Sequence, residues 1–235
     1  METTSQSTMT IDQNEYEERI IAFADILGWR KTIKSDFKIP YEAATLIEKY
    51  AKNFSLLMKE EIKNAPGIPD KSKEQYSSIE FSFFSDSFAI SAPVDNGKVI
   101  FDILAWASDM LLRKKFLIRG GVTIGDLYHR QGLIFGPALV EVVEIEENDA
   151  IYPRFICSDK LIKYLDSAGF KDEVILEDFP ESWVVNVANG SLIVCDELLT
   201  IIKNELSMSD KSERVMRKWR YIQEMLPKMY ERSIS

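Results

Sequence analysis

Histidine occurs once in this chain, as His129, and cysteine twice, as Cys157 and Cys195. So little histidine nearly excludes His-based metal centres and Ser-His-Asp chemistry. The two cysteines sit in apolar settings and read as buried free thiols, not as a disulfide or a zinc site. Any metal would have to be held by carboxylates, which suits Mg2+ or Mn2+. Apolar runs long enough to span a membrane are missing too, and the opening METTSQSTMT lacks the basic and apolar regions of a secretory signal. A cytoplasmic location with no membrane partner is therefore expected. Basic residues are outnumbered: 29 Lys and Arg stand against 38 Asp and Glu, and the net charge of -9 argues against nucleic acid as a partner. A small anion remains admissible, because a local pocket can be positive on an acidic protein.

What is present suits one globular domain with a helical appendage, since 235 residues at 46% hydrophobic content can bury a sizeable core. Residues 1–15 are polar and expected to be mobile, 16–190 form the main domain, and 191–235 form a C-terminal helical extension. IIAFAD reads as a strand running into a turn or short helix around Leu27 to Ser35. Pro40 opens an amphipathic helix to about Asn64, and SIEFSFFSD with SFAISAPV forms a hairpin turning at Ser85, Asp86 and Ser87. A helix from about Val99 to Lys115 follows, then the strand FLIRGGVTIG, a returning half through Asp126 to Phe135, and a helix from Pro137 to Glu147. After these come the strand IYPRFIC, a helix from Asp159 to Ala168, short strands around Val174 to Leu176 and Trp183 to Val187, and two helices. This order predicts an α+β fold: an antiparallel-rich sheet with helices mainly on one face, plus C-terminal helices.

Asp25 interrupts the oily stretch IIAFADILGW, and a lone carboxylate removed from water needs a cation or a strand end. Asp86 falls at the hairpin tip, so if the two strands are neighbours the carboxylates lie side by side. Their repulsion is then relieved by a shared proton or by divalent cations. The plainer alternative is that Asp25 caps the next helix and Asp86 makes a turn.

FADILGW resembles the metal-binding signature of class III nucleotidyl cyclases, and FSDSFAIS resembles that family's second metal-binding turn, with Ser85 in place of the usual Gly. IRGGVTIGDL is similar to the hairpin that begins with a phosphate-contacting Arg. GLIFGPALVEVVEIE and IYPRFICSDKLIKYL resemble the segments that follow it, in the family's order. GPALVEVVEIE leading to YPR is most similar to the bacterial pyrimidine cyclases of the Pycsar antiphage system.

The resemblance implies a homodimer, with sites at its interface, that cyclises UTP or CTP and releases pyrophosphate. Two Mn2+ or Mg2+ ions would be held by Asp25, Asp86 and the Ile26 carbonyl, and the cyclic product would activate a separate effector. Arg119 would contact the phosphates, and Phe23 and Gly28 would border the substrate. Tyr50 would read a pyrimidine base, the plainer alternative being a tyrosine on an amphipathic helix face. Arg154 and Lys160 are candidate charges from a partner subunit. The chain departs from purine cyclases at four aligned positions: Val140 and Glu144 stand for an Asn and an Arg, and Ser82 and Leu133 for the adenine-reading Lys and Asp. The alternative is a degenerate cyclase-like module that binds a nucleotide or a partner.

Overall fold

Strand β1, Glu17–Leu27, alternates strictly between two environments. Ile20, Ala22, Ala24 and Ile26 are at most 1% exposed in the main apolar core, while Ile21 and Phe23 pack into a second cluster with Leu127, Ala138 and Val142. Because side chains of a strand point alternately to its two faces, β1 is covered on both sides. The computed structural model describes residues 16–50, 79–178, 182–188, 195–208 and 211–234. The N-terminal segment and the later half of the helix expected to end near Asn64 lie outside the described residues.

After β1 come the short helix α1, Trp29–Ser35, and helix α2, described over 38–50. Strands β2, Glu80–Phe84, and β3, Ser87–Pro93, form the expected hairpin, followed by a 3-10 turn and helix α3, Lys98–Arg113. Strand β4, Leu117–Arg130, turns into β5, Leu133–Phe135, and then helix α4, Pro137–Asn148. Strand β6, Phe155–Cys157, leads to helix α5, Asp159–Ser167, and the one-turn helix α6, Lys171–Val174. Strands β7, Ile175–Asp178, and β8, Ser182–Val185, precede helices α7, Cys195–Ser207, and α8, Glu213–Ile234.

The eight strands make one sheet in the order β2-β3-β1-β4-β6-β8-β7, with β5 paired to β4. All pairings are antiparallel except β4 with β6. The fold is thus the expected α+β class with a mostly antiparallel sheet. Side chains of α2, α3 and α5 join the main core with the even-numbered residues of β1, whereas α4 covers the odd-numbered face. Helices α7 and α8 pair through Leu198, Ile202, Trp219, Ile222 and Leu226, which close over Leu112 and Leu117.

Two local expectations are corrected. IYPRFIC yields only a three-residue strand, because Pro153 has no N-H for a ladder and the Arg154 N-H turns back onto the Tyr152 carbonyl at 2.8 Å. FLIRGGVTIG does not stop at its last glycine: β4 continues unbroken to Arg130 and turns at Gln131 and Gly132 (φ 53° and 82°), the paired left-handed geometry of a tight hairpin.

Candidate active site

The end of β1 is where strand register assembles chemistry. Asp25 lies opposite Ser87 of β3 on one side and Arg119 of β4 on the other. Since Ser87 follows the hairpin tip, Asp86 arrives beside the strand end, and its carbonyl accepts a hydrogen bond from the Ile26 N-H at 2.8 Å. Ser85 bends the tip with a left-handed φ of 57°, a geometry that costs a non-glycine residue about 1 kcal/mol.

The partner of Asp25 is Arg119, whose Nε donates to Oδ2 at 3.2 Å. The same guanidinium donates to the Ala150 carbonyl at 3.0 Å and lies 2.7 Å from Oε1 of Glu146 on α4. Arg119 is therefore held on three sides. Glu146 is 5% exposed, and burial pushes its carboxyl above the usual range, the nearby Asp25 adding to the rise while Arg119 opposes it. Asp86 accepts from the Nε of Arg30 at 3.0 Å, a pair of little energetic weight because the Arg30 side chain is 84% exposed.

These groups border a cavity of about 630 Å³. Phe23, Asp25, Ile26, Gly28, Asp86 and Arg119 all line it, so six of the nine candidates named from the sequence are brought together. Gly28 takes a left-handed φ of 91° between β1 and α1, and Phe23 also packs on the cluster beneath α4. Trp29 anchors the start of α1 between Phe83 and Phe116.

Tyr50, Arg154 and Lys160 do not line the cavity. The Tyr50 ring stacks on Trp106 of α3 with centroids 3.7 Å apart. Helix α2 packs with α3 on the face opposite Asp25, which separates Tyr50 from the acids within one chain. Arg154 is buried against Tyr152 and Tyr221 and is not displayed to a partner, and Lys160 pairs with Glu141 at 2.6 Å.

Among the charged lining residues, sequence reasoning missed Arg30, Lys31, Glu146, Glu147, Arg214 and Lys218. Glu146 did leave a signal. Ala138, Val142 and Glu146 recur every four residues and are the buried residues of α4, so an acid occupies an apolar stripe. Arg214 and Lys218 lie on α8 and reach the cavity only through tertiary packing.

The two carboxylates are hard oxygen donors suited to Mg2+ or Mn2+, although among the described residues no group of three or more His, Cys, Asp or Glu side chains is arranged to hold an ion. No described helix is long and apolar enough to cross a membrane.

No protein-family model and no curated protein matches the sequence. Among solved structures, the chain is similar to the adenylyl cyclase CyaB from P. aeruginosa, with 10% identity over 73% of this chain and 94% of that one, TM-score 0.41. A bacterial light-regulated adenylyl cyclase aligns with 91% of this chain and 58% of its own at 12% identity, TM-score 0.48. The adenylate/guanylate cyclase/hydrolase from Silicibacter pomeroyi aligns with 73% of this chain and 96% of its own at 14% identity, TM-score 0.44.

Proposed function

We propose that the chain is a nucleotidyl cyclase that converts a pyrimidine nucleoside triphosphate, UTP before CTP, into a 3',5'-cyclic nucleotide and pyrophosphate. The observation that carries this reading is the register that sets Asp25 beside Arg119 and beside the hairpin tip bearing Asp86, all on one cavity. A plain turn or cap explains either acid singly; neither explains their convergence with an arginine held by Glu146.

Cyclisation requires the ribose 3'-oxygen to approach the α-phosphorus in line with the departing pyrophosphate, so catalysis is mostly alignment and charge stabilisation. Asp25, Asp86 and the carbonyl of Ile26 would hold two Mn2+ or Mg2+ ions, which when bound neutralise phosphate charge and make the attacking hydroxyl more acidic. Arg119 presents a planar fork to phosphate oxygens. Glu146 and the Ala150 carbonyl fix that fork before substrate arrives, which reduces the ordering cost of binding. Phe23 supplies an apolar wall to the sugar.

The pyrimidine preference rests on the resemblance and on two positions. Ser82 is buried with its hydroxyl 2.9 Å from His129 Nε2, and Leu133 is 58% exposed on β5. Neither offers the Lys and Asp pair of purine readers, and an adenine amino group left unpaired in a closed site costs about 1 to 3 kcal/mol. A homodimer with sites at the interface, a second-messenger role in antiphage defence and a separate effector complete the proposal. An exposed apolar side chain, Val140 on α4, supports the dimer.

One observation favours a second reading, a catalytically degenerate nucleotide- or partner-binding module: Asp25 and Asp86 are each already engaged by an arginine, and Val140 and Glu144 supply no cation. Incubating the pure protein with each of the four nucleoside triphosphates and Mn2+, with products identified by mass spectrometry, separates the readings. Cyclic UMP with pyrophosphate is expected, and chelation of the metal should stop it. Nucleotide binding without pyrophosphate release identifies the degenerate module, and preferred turnover of ATP or GTP overturns the pyrimidine claim.

A further inference from the structure

Helix α8 is docked by one set of residues and presents another. Trp219, Ile222 and Leu226 bury themselves with α7, and Met225 and Met229 enter the main core. This apolar anchor docks the helix, and near its end Arg232 adds a pair with Asp172 at 3.7 Å. Arg217 and Arg220 then pair with Glu213, at 3.6 Å and 2.8 Å. Arg214 and Lys218 do not: among the described residues neither has an ion-pair or hydrogen-bond partner, yet both line the cavity that holds Asp25, Asp86 and Arg119.

Four residues apart, Arg214 and Lys218 share one helix face, where like charges disfavour each other. Lys218 is also half-buried; desolvation and the positive charges of Arg119 and Arg214 push its ammonium below the usual range, while Asp25 and Glu146 oppose the shift. A second cavity of about 430 Å³ shares Arg119, Arg214 and Lys218 with the first and is also bordered by Arg217 and by the acids Glu147 and Glu213. On a chain of net charge -9, the main cavity is lined by five cationic side chains against four anionic ones. Cations held by an apolar scaffold, without an ion-pair partner among the described residues and lining one cavity, are placed to receive a multiply charged anion.

We propose that Arg214 and Lys218 of the C-terminal helix bind the triphosphate of the substrate together with Arg119. The assignment rests on the cyclase reading for its substrate. It places substrate-binding charge in the C-terminal helix, whereas Glu144, where purine cyclases carry an arginine, is exposed on α4.

The test titrates the full-length protein calorimetrically with inorganic triphosphate in the presence of EDTA, a probe with neither base nor ribose. Arg214→Gln and Lys218→Gln should each weaken binding about tenfold. Lys218→Arg should restore most of it, and Lys228→Gln, the same charge change at an exposed position of the same helix, should not alter it. Circular dichroism and thermal melting establish that each variant is folded. In the nucleotide assay the two glutamine variants should raise KM for the substrate. Undiminished triphosphate affinity in the Arg214, Lys218 double variant, or no binding to the wild type, overturns the cation pair. If triphosphate binding falls as expected while none of the four nucleoside triphosphates is cyclised, the cation pair stands and the cyclase reading fails.

Discussion

At the residue scale, Asp25 and His129 make opposite use of burial. Asp25 keeps a side chain 21% exposed and a cationic neighbour, the setting of a carboxylate that remains available to a ligand. Asp25→Asn and Asp86→Asn should each abolish pyrophosphate release while changing stability by no more than about 1 kcal/mol, because the ion pairs they weaken are partly solvated. Unchanged turnover in either variant contradicts the two-ion site. His129 is instead 1% exposed, between Ser91 at 2.8 Å and Ser82 at 2.9 Å, and Ser91 also accepts from the buried Arg19. Burial, aided by the charge of Arg19, holds the imidazole down at about 4 against an ordinary 6.5. Between those values the unfolded chain binds the proton and the folded chain does not, so stability is full above about 6.5 and is lost as pH falls toward about 4. From pH 7 to pH 5 this loss should be about 2 kcal/mol. Urea unfolding of the wild type and His129→Gln at both pH values checks it: the variant should lack that share of the pH dependence.

At the element scale, β4 is a long strand that tolerates two adjacent glycines because its neighbours come too close for side chains. A Cβ on Gly120 would stand 2.2 Å from the Phe23 carbonyl and 2.7 Å from the Phe155 ring, and one on Gly121 would stand 2.7 Å from the Val142 carbonyl. A backbone carbonyl in a paired strand cannot swing away. Gly120→Ala should therefore destabilise the fold by about 2 to 3 kcal/mol, read as a lower urea midpoint, and should disturb Arg119 and hence turnover. A variant as stable as the wild type would show that the strands separate more easily than this packing implies. The glycine pair was visible in the sequence as part of IRGG; the reason for it, approach of β1 on one side and α4 on the other, was not.

At the scale of the whole molecule, the proposed homodimer has a kinetic consequence. If each site needs both subunits, activity per chain should fall once the protein is diluted below its dimer dissociation constant. Sedimentation at assay concentration checks this directly, and a fully active monomer would remove the interface from the mechanism. The dimer would also give Tyr50 its remaining route to a substrate, since within one chain it stacks on Trp106 away from the acids.

The sequence by itself determined the order of elements and much of the sheet, because alternation along IIAFAD and the turn at Ser85 and Asp86 are local patterns with local causes. It also marked the two acids, since a carboxylate in an oily strand is conspicuous whatever surrounds it. What only the tertiary structure decided is which charges meet. Arg119 reaches Asp25 through strand register, Glu146 joins them because α4 crosses the same face, and Arg214 and Lys218 arrive from α8. Tyr50 is kept away by a helix packing on the other face. Local propensity acts over a few residues, whereas these neighbours are set by the burial of apolar faces from distant segments, and charges are carried to wherever those faces close.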